Sequence, residues 1–456
     1  MRLIILSVFS LLFTAVQSMA SPVDPQEIQK TLKDAVANRH TVGIVVGIID
    51  KSGRTITSYG KTAADGRAVD ADSVFEIGSV TKTFTTTLLA DMVARGLVSL
   101  DDPVANCLPK GVKVPERGGK QITLLDLATH RSGLPRMPSN FAPADPDNPY
   151  ADYTAGKLFE FLAGYSLPRD IGASYEYSNL GAGLLGEALA RRAGKSYEAL
   201  LTEIIFRPLE MTSTGIVLRP EMAARLAMGH SQQLLPVKNW DLDALAGAGA
   251  IRSTVNDMLN YLAAYMGLKP SPLAPALAMA RQDRNDTTIP DMRIGLAWHL
   301  LKLPDTVIVW HNGGTAGYHS FIGFDLQKGM GIVVLSNSAN DIDNIGLHFL
   351  NEQIPLAKIE FRKERKEIAL EPALLDAVVG EYQLAPTFVL LVVKDGNRLF
   401  GQATGQPRFQ LHPEAETEFF LLEADVQISF VKDTAGKVTH LILHQNGQNV
   451  KGDKVK

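Results

Sequence analysis

The sequence predicts a chain of mixed α/β (α+β) class, an antiparallel sheet flanked by helices with a small β-barrel after it. Three observations lead there. Strand-like segments stand at both ends of roughly the first 350 residues, with helical patterns between them. Strands contributed by both ends of such a stretch build one antiparallel sheet around which the helices pack. A charged segment, Lys358 to Glu367, then breaks the pattern, and from Leu374 onward the composition is strand-like with no helical period.

The elements follow in order. Arg2, the apolar run Leu3 to Val16 and the small residues of Ser18-Met19-Ala20 read as a signal peptide over residues 1–20, cleaved after Ala20. That run is too short for a stable membrane span, and no cysteine follows the cut. The expectation is a secreted or periplasmic soluble protein. Asp24 to Asn38 reads as a helix, and Thr41–Asp50 and Arg54–Tyr59 as strands joined at Lys51-Ser52-Gly53. Val74 to Ile77 is β-branched and aromatic, Gly78 breaks it, and Thr83 to Ala94 is helical up to Arg95-Gly96. Thr123 and Asp126 give an N-terminal capping pattern within Gln121 to His130. Met137 to Tyr153, rich in Pro, Asp and Asn, predicts a long surface loop. Helices follow at Leu180–Arg192 and, capped by Ser253 or Thr254, up to Met266. Strands are expected at Ile294–Leu300, Val307–Trp310, Tyr318–Phe324 and Gly331–Leu335, then a helix at Asn340–Asn351. The C-terminal part shows strands at Phe388–Val393, Phe419–Leu422, Gln427–Val431 and Val438–Leu443, in a barrel or a sandwich.

Several function classes are excluded at this level. The chain has 456 residues, 45% hydrophobic and 21% charged, with a net charge of −4. That is an ordinary globular composition with no basic stripe, so no nucleic-acid partner is expected. The single cysteine, Cys107, excludes an internal disulfide framework and reads as a small buried hydrophobe. No H-E-x-x-H or paired-cysteine spacing is present, so neither metal nor organic cofactor is expected. Gly181-Ala182-Gly183-Leu184-Leu185-Gly186 matches a dinucleotide fingerprint, but no buried strand leads into it; tight helix packing explains it better. Gly247-Ala248-Gly249-Ala250 reads as a close-approach turn.

Ser79-Val80-Thr81-Lys82 carries the chemistry. At the start of a helix, residues three apart share a face, so the Ser79 hydroxyl and the Lys82 amine lie about one turn apart. That is a nucleophile with a proton acceptor and no need for histidine. Ser58 to Lys61 and Ser429 to Lys432 repeat the spacing in strand-like surroundings, where residues three apart face opposite ways. A second element, Tyr177-Ser178-Asn179, stands at a loop-to-helix junction. A lysine ammonium beside Tyr177 would lower the phenol's pKa and let it shuttle the serine proton. The third, His311-Asn312-Gly313-Gly314-Thr315, follows the strand that ends at Trp310. Its glycines allow close backbone approach, and the Gly314 and Ser79 amides could pair as an oxyanion hole.

Taken together, S-x-x-K, Tyr-x-Asn and His-x-Gly in this order resemble the serine β-lactamase and penicillin-binding protein superfamily. Within it the chain is similar to the class C β-lactamases and the related D-amino peptidases, D-Ala-D-Ala carboxypeptidases and esterases. Leu127-Ala128-Thr129-His130-Arg131-Ser132-Gly133-Leu134 and Gly313-Gly314-Thr315-Ala316-Gly317-Tyr318 are phrases of the same group. The resemblance runs from about Asp24 to Leu350 and implies a helical subdomain with the site between it and the sheet. It divides the chain into a hydrolase domain over 21–357, a linker over 358–373 and a lipocalin-like barrel over 374–456. It further implies Ser79, Lys82 and Tyr177 as catalytic residues, with either Lys82 or Tyr177 as principal base. Asn179, His311, Gly313 and Gly314 would meet the substrate, Asn179 also orienting Lys82. His311 stands where the β-lactamases proper carry lysine, so its hold on a substrate carboxylate should be weaker and pH-dependent. The expected substrates are β-lactams, D-amino-acid peptides or esters, and a catalytically weak penicillin-binding protein is a further alternative.

Overall fold

In the computed structural model, residues 23–404, 408–422, 426–445 and 448–456 are described; segment 1–20, expected from the sequence to be a signal peptide, lies outside them. The strand Gly43–Asp50 is an unbroken apolar run because both of its faces are covered. It pairs with Gly53–Gly60 on one side and Met330–Ser336 on the other, Ile44 standing opposite Tyr59 and Ser336. Five further strands complete an eight-stranded sheet, all neighbours antiparallel: His319–Asp325, Val307–Gly314, His299–Lys302, Met292–Ile294 and Asn285–Asp286 follow Met330–Ser336 outward. Side chains alternate as a strand requires. Ile44, Val46 and Ile48 pack with Phe321, Ile332 and Val334 under the terminal helices Pro25–Ala37 and Asp343–Leu350. Val45, Ile49, Ile322, Val333 and Leu335 join the larger core that holds the central helices.

The helix Thr81–Ala94 lies at the centre of that core, and twelve of its fourteen residues are buried. A helix covered on every side shows no amphipathic stripe. Its threonines satisfy themselves inward: Thr85 Oγ1 donates to Gly247 O at 2.7 Å and Thr86 Oγ1 to Leu296 O at 2.8 Å. The glycine-rich helix motif is a packing device, as expected. A Cβ on Gly186 would come within 2.9 Å of Gly247 Cα, and one on Gly183 within 2.6 Å of Leu245 Cδ2.

Four expectations need correction. Ile294–Leu300 is not one strand: it divides into Met292–Ile294 and His299–Lys302 around a bend where Ala297 takes φ 61°. The strand from Val307 does not end at Trp310 but continues to Gly314, because His311 to Gly314 pair with His319 to Ile322. Gly247-Ala248-Gly249 falls in a short helix, Ala246–Gly249, rather than a turn. Leu374 to Val378 belongs to a helix, Pro372–Val378, whose Leu375 and Val378 sink into the barrel's core.

The C-terminal part is a closed barrel of eight strands, from Gly380–Ala385 to Gln448–Lys454, and not a sandwich. Leu390, Val392, Leu399, Ile428, Phe430 and Leu441 fill its interior at alternate positions. The segment between the two bodies has no helix or strand, yet it is held at both ends and is not merely solvated. Arg362 N donates to Asn38 O at 3.0 Å on the hydrolase side, while Lys363 and Arg365 both reach Glu414 of the barrel.

Candidate active site

Ser79 stands in a 3₁₀ turn, Gly78–Val80, immediately before the helix Thr81–Ala94. Gly78 takes φ 48°, which glycine alone adopts freely. The turn is pressed against the end of the strand Val307–Gly314: a Cβ on Gly78 would lie 2.8 Å from Gly314 N, and one on Gly313 would lie 2.9 Å from Ser79 N. Ser320 Oγ donates to Ile77 O at 2.8 Å and ties the turn to the next strand. Ser79 and Gly314 therefore sit side by side, with Gly314 exposed at the strand's end.

Lys82 Nζ lies 2.8 Å from Ser79 Oγ and donates to Ala248 O at 2.7 Å. The side chain is buried, and that burial, with Arg136 nearby, drives its pKa well below the ordinary 10.5. In its uncharged form, which this shift favours, the amine can give one hydrogen to the Ala248 carbonyl and turn its lone pair to the serine hydroxyl. The Tyr177 hydroxyl hydrogen-bonds Ser79, and its ring centroid lies 4.8 Å from Lys82 Nζ. Contrary to expectation, the Tyr177 pKa is not lowered: burial pushes it up to about 12, against smaller pulls from Ser79 and Arg136. The reason is desolvation: taking a phenolate out of water costs more than the nearby Arg136 guanidinium returns. The open choice of base thus tilts to Lys82, with Tyr177 as a proton donor.

The phrase around His130 is the shelf that holds Tyr177 in place. His130, at φ 57°, presents its carbonyl to Glu176 N at 2.8 Å, and its Nδ1 accepts from Ser178 N at 3.2 Å. Ser178 Oγ donates to Pro135 O, while the amides of Asn179 and Leu180 both donate to Arg136 O. Ser178 also caps the helix Asn179–Ala193. With its Nδ1 accepting, neutral His130 carries its hydrogen on Nε2.

His311 and Asn179 differ from expectation. His311 has no exposed surface, and its ring stacks on His299 at 5.0 Å. Burial, aided by His299 and Lys82, holds its pKa well below 6.5, so it is an uncharged imidazole at neutral pH. Its Nδ1 lies 2.6 Å from Asn312 O and donates to it, which leaves Nε2 as an unpartnered acceptor. His311 thus carries an unused lone pair and no positive charge. Asn179 makes no hydrogen bond to Lys82; its Nδ2 points to Met137 Sδ at 3.9 Å, and its Oδ1 is without a partner. Asn312, on the opposite face of its strand, is taken up by Asp343.

Sequence reasoning passed over His130, His299 and Arg136 as individual site residues. His299, with a pKa pushed down to about 4 by burial, is a neutral wall of the site. Its only signal was a place in a predicted strand. The Ser-x-x-Lys repeats are structural: Ser429 Oγ bonds Glu418 and His444, while Lys432 turns to Glu416. Among the described residues the one cluster with metal-ligand geometry is His319, Asp341 and Asp343, in which His319 is already paired with Asp343.

An antiparallel sheet, a central helix opened by a serine, and a buried lysine one turn on define a serine hydrolase of the β-lactamase fold. The chain belongs to the beta-lactamase family, whose model matches residues 28–350; a second model, a domain of unknown function (DUF3471), matches residues 364–454. It is 30% identical over 353 residues to the D-alanyl-D-alanine-carboxypeptidase/endopeptidase AmpH of Escherichia coli (strain K12), covering 72% of this chain and 90% of that protein. Penicillin-binding protein 4* of Bacillus subtilis (strain 168) is 27% identical over 419 residues, or 86% of this chain and 89% of that one. The crystal structure of a β-lactamase/D-alanine carboxypeptidase from Yersinia pestis superposes with a TM-score of 0.63 at 26% identity, covering 73% of this chain and 98% of that one.

Proposed function

We propose that the chain is an exported acyl-enzyme hydrolase of D-amino-acid peptides and of the β-lactams that mimic them. The observation that carries this reading is the buried Lys82 amine, its pKa driven well down, 2.8 Å from the Ser79 hydroxyl. Lys82 Nζ takes the hydroxyl proton as Oγ bonds to the carbonyl carbon, and the carbonyl π pair moves onto oxygen. The Ser79 and Gly314 amides face that oxyanion, each donor contributing on the order of 3 kcal/mol. When the C–N bond breaks, the Tyr177 phenol protonates the departing nitrogen and recovers a proton from the Lys82 ammonium. Water, deprotonated by the regenerated amine, then attacks the ester and restores Ser79. The names of the Escherichia coli and Yersinia pestis relatives support this substrate class. Export rests on the N-terminal segment 1–20.

Small acyl esters are the second reading, favoured by the uncharged His311 at the position where the β-lactamases proper hold a cation. A labelled penicillin should add to Ser79, visible by intact mass and absent in Ser79→Ala. Nitrocefin, a D-Ala-D-Ala peptide and a p-nitrophenyl ester, assayed side by side, rank the readings. Turnover of the ester alone installs the esterase; an adduct that persists without turnover installs a penicillin-binding protein.

A further inference from the structure

The geometry points to Arg136 as the group that receives a substrate's free carboxylate, the role that His311 cannot fill here. This rests on the reading of the cleft as an acyl-enzyme site. The other basic side chains around Tyr177 all have their charged forms disfavoured by burial: His130, His299 and His311 are uncharged at neutral pH, and Lys82 is driven well below its ordinary pKa. Arg136 is exposed, and its guanidinium carbon lies 5.2 Å from the centroid of the Tyr177 ring. Lys82 Nζ approaches that same ring at 4.8 Å, so the cation and the nucleophile's base flank one phenol.

Two more features fit a receiving group. Among the described residues no carboxylate forms an ion pair with Arg136, whereas Arg131 and Arg169, on the same stretch and the neighbouring loop, are paired with Asp286 and Glu176. The Arg136 backbone is fixed as well, because its carbonyl accepts from Asn179 N at 3.1 Å and Leu180 N at 3.2 Å. The base of the side chain is therefore locked to the element that carries Tyr177, while its head stays free. A planar guanidinium binds a carboxylate through two parallel hydrogen bonds and stacks on an aromatic face as it does so.

The test uses the full chain and two substrate pairs. One is an N-acyl-D-Ala-D-Ala peptide with a free C-terminal carboxylate, against its C-terminal amide. The other is the corresponding depsipeptide pair, with an ester as the scissile bond. The wild type should favour the carboxylate form by about thirty-fold in kcat/KM, as a charge-assisted hydrogen-bond pair would give. In Arg136→Ala that ratio should fall to near one through a rise in KM, and Arg136→Lys should recover part of it. Retention of the ratio in Arg136→Ala overturns the proposal, and so does an equal loss on both members of a pair, which would make Arg136 only a support for Tyr177. If depsipeptides turn over and peptides do not, the peptidase reading fails while the role of Arg136 is still decided on the esters.

Discussion

At the scale of the residue, the protein holds Lys82 in a form that water would not allow. Burial removes the solvation of its charge and drives a pKa that is ordinarily 10.5 well down. Above the depressed folded pKa the unfolded chain carries a proton that the folded chain does not, so stability should rise with pH until the unfolded lysine titrates near 10.5. Lys82→Met removes both the base and this burden. It should lower acylation by roughly 10²–10⁴-fold yet raise Tm at pH 7, and a fall in Tm would contradict the uncharged assignment. Tyr177, at about 12, should contribute no alkaline limb to the acylation profile below pH 11, whereas a phenolate base would give an acid limb that Tyr177→Phe abolishes.

At the scale of the element, the site depends on where one strand ends against one turn. Gly313 meets the nucleophile turn directly, since a Cβ there would collide with the Ile77 carbonyl and stand 2.9 Å from Ser79 N. Gly313→Ala should therefore push the turn away from Gly314 and cost about 10²-fold in kcat, the scale of losing one oxyanion donor. At Gly314 the nearest atom to an added Cβ is 4.0 Å away, so Gly314→Ala should fold with an unchanged Tm. Comparing the two by thermal melt and single-turnover acylation checks the claim. The sequence marked these glycines by their neighbours but ended the strand early at Trp310. Glycines are poor strand formers by propensity, and here cross-strand pairing with His319 and Ser320 overrides it.

At the scale of the whole molecule, acid should undo the fold around the site first. His130 and His311 are buried, His299 is half-buried, and all three are depressed, His299 to about 4. Unfolded histidines take up protons near 6.5, so stability is full above that value and drains away as pH falls toward about 4. Tm measured from pH 7 to pH 4 should drop steeply, and His299→Gln should flatten the drop. An equally steep drop in that variant would assign the acid sensitivity elsewhere.

Much of this was legible in the linear chain. Local patterns were enough for the capped helices, the strand Gly43–Asp50, the Ser79–Lys82 pair and the strand-rich C-terminal part, because each depends on contacts a few residues apart or on a hydrophobic period. What only tertiary structure decided is the electrostatic state of the site. Lys82, Tyr177 and His311 take their protonation from neighbours that lie far off in sequence, such as Ala248, Arg136 and His299. Desolvation depends on everything packed around a group, and no window of sequence contains that set.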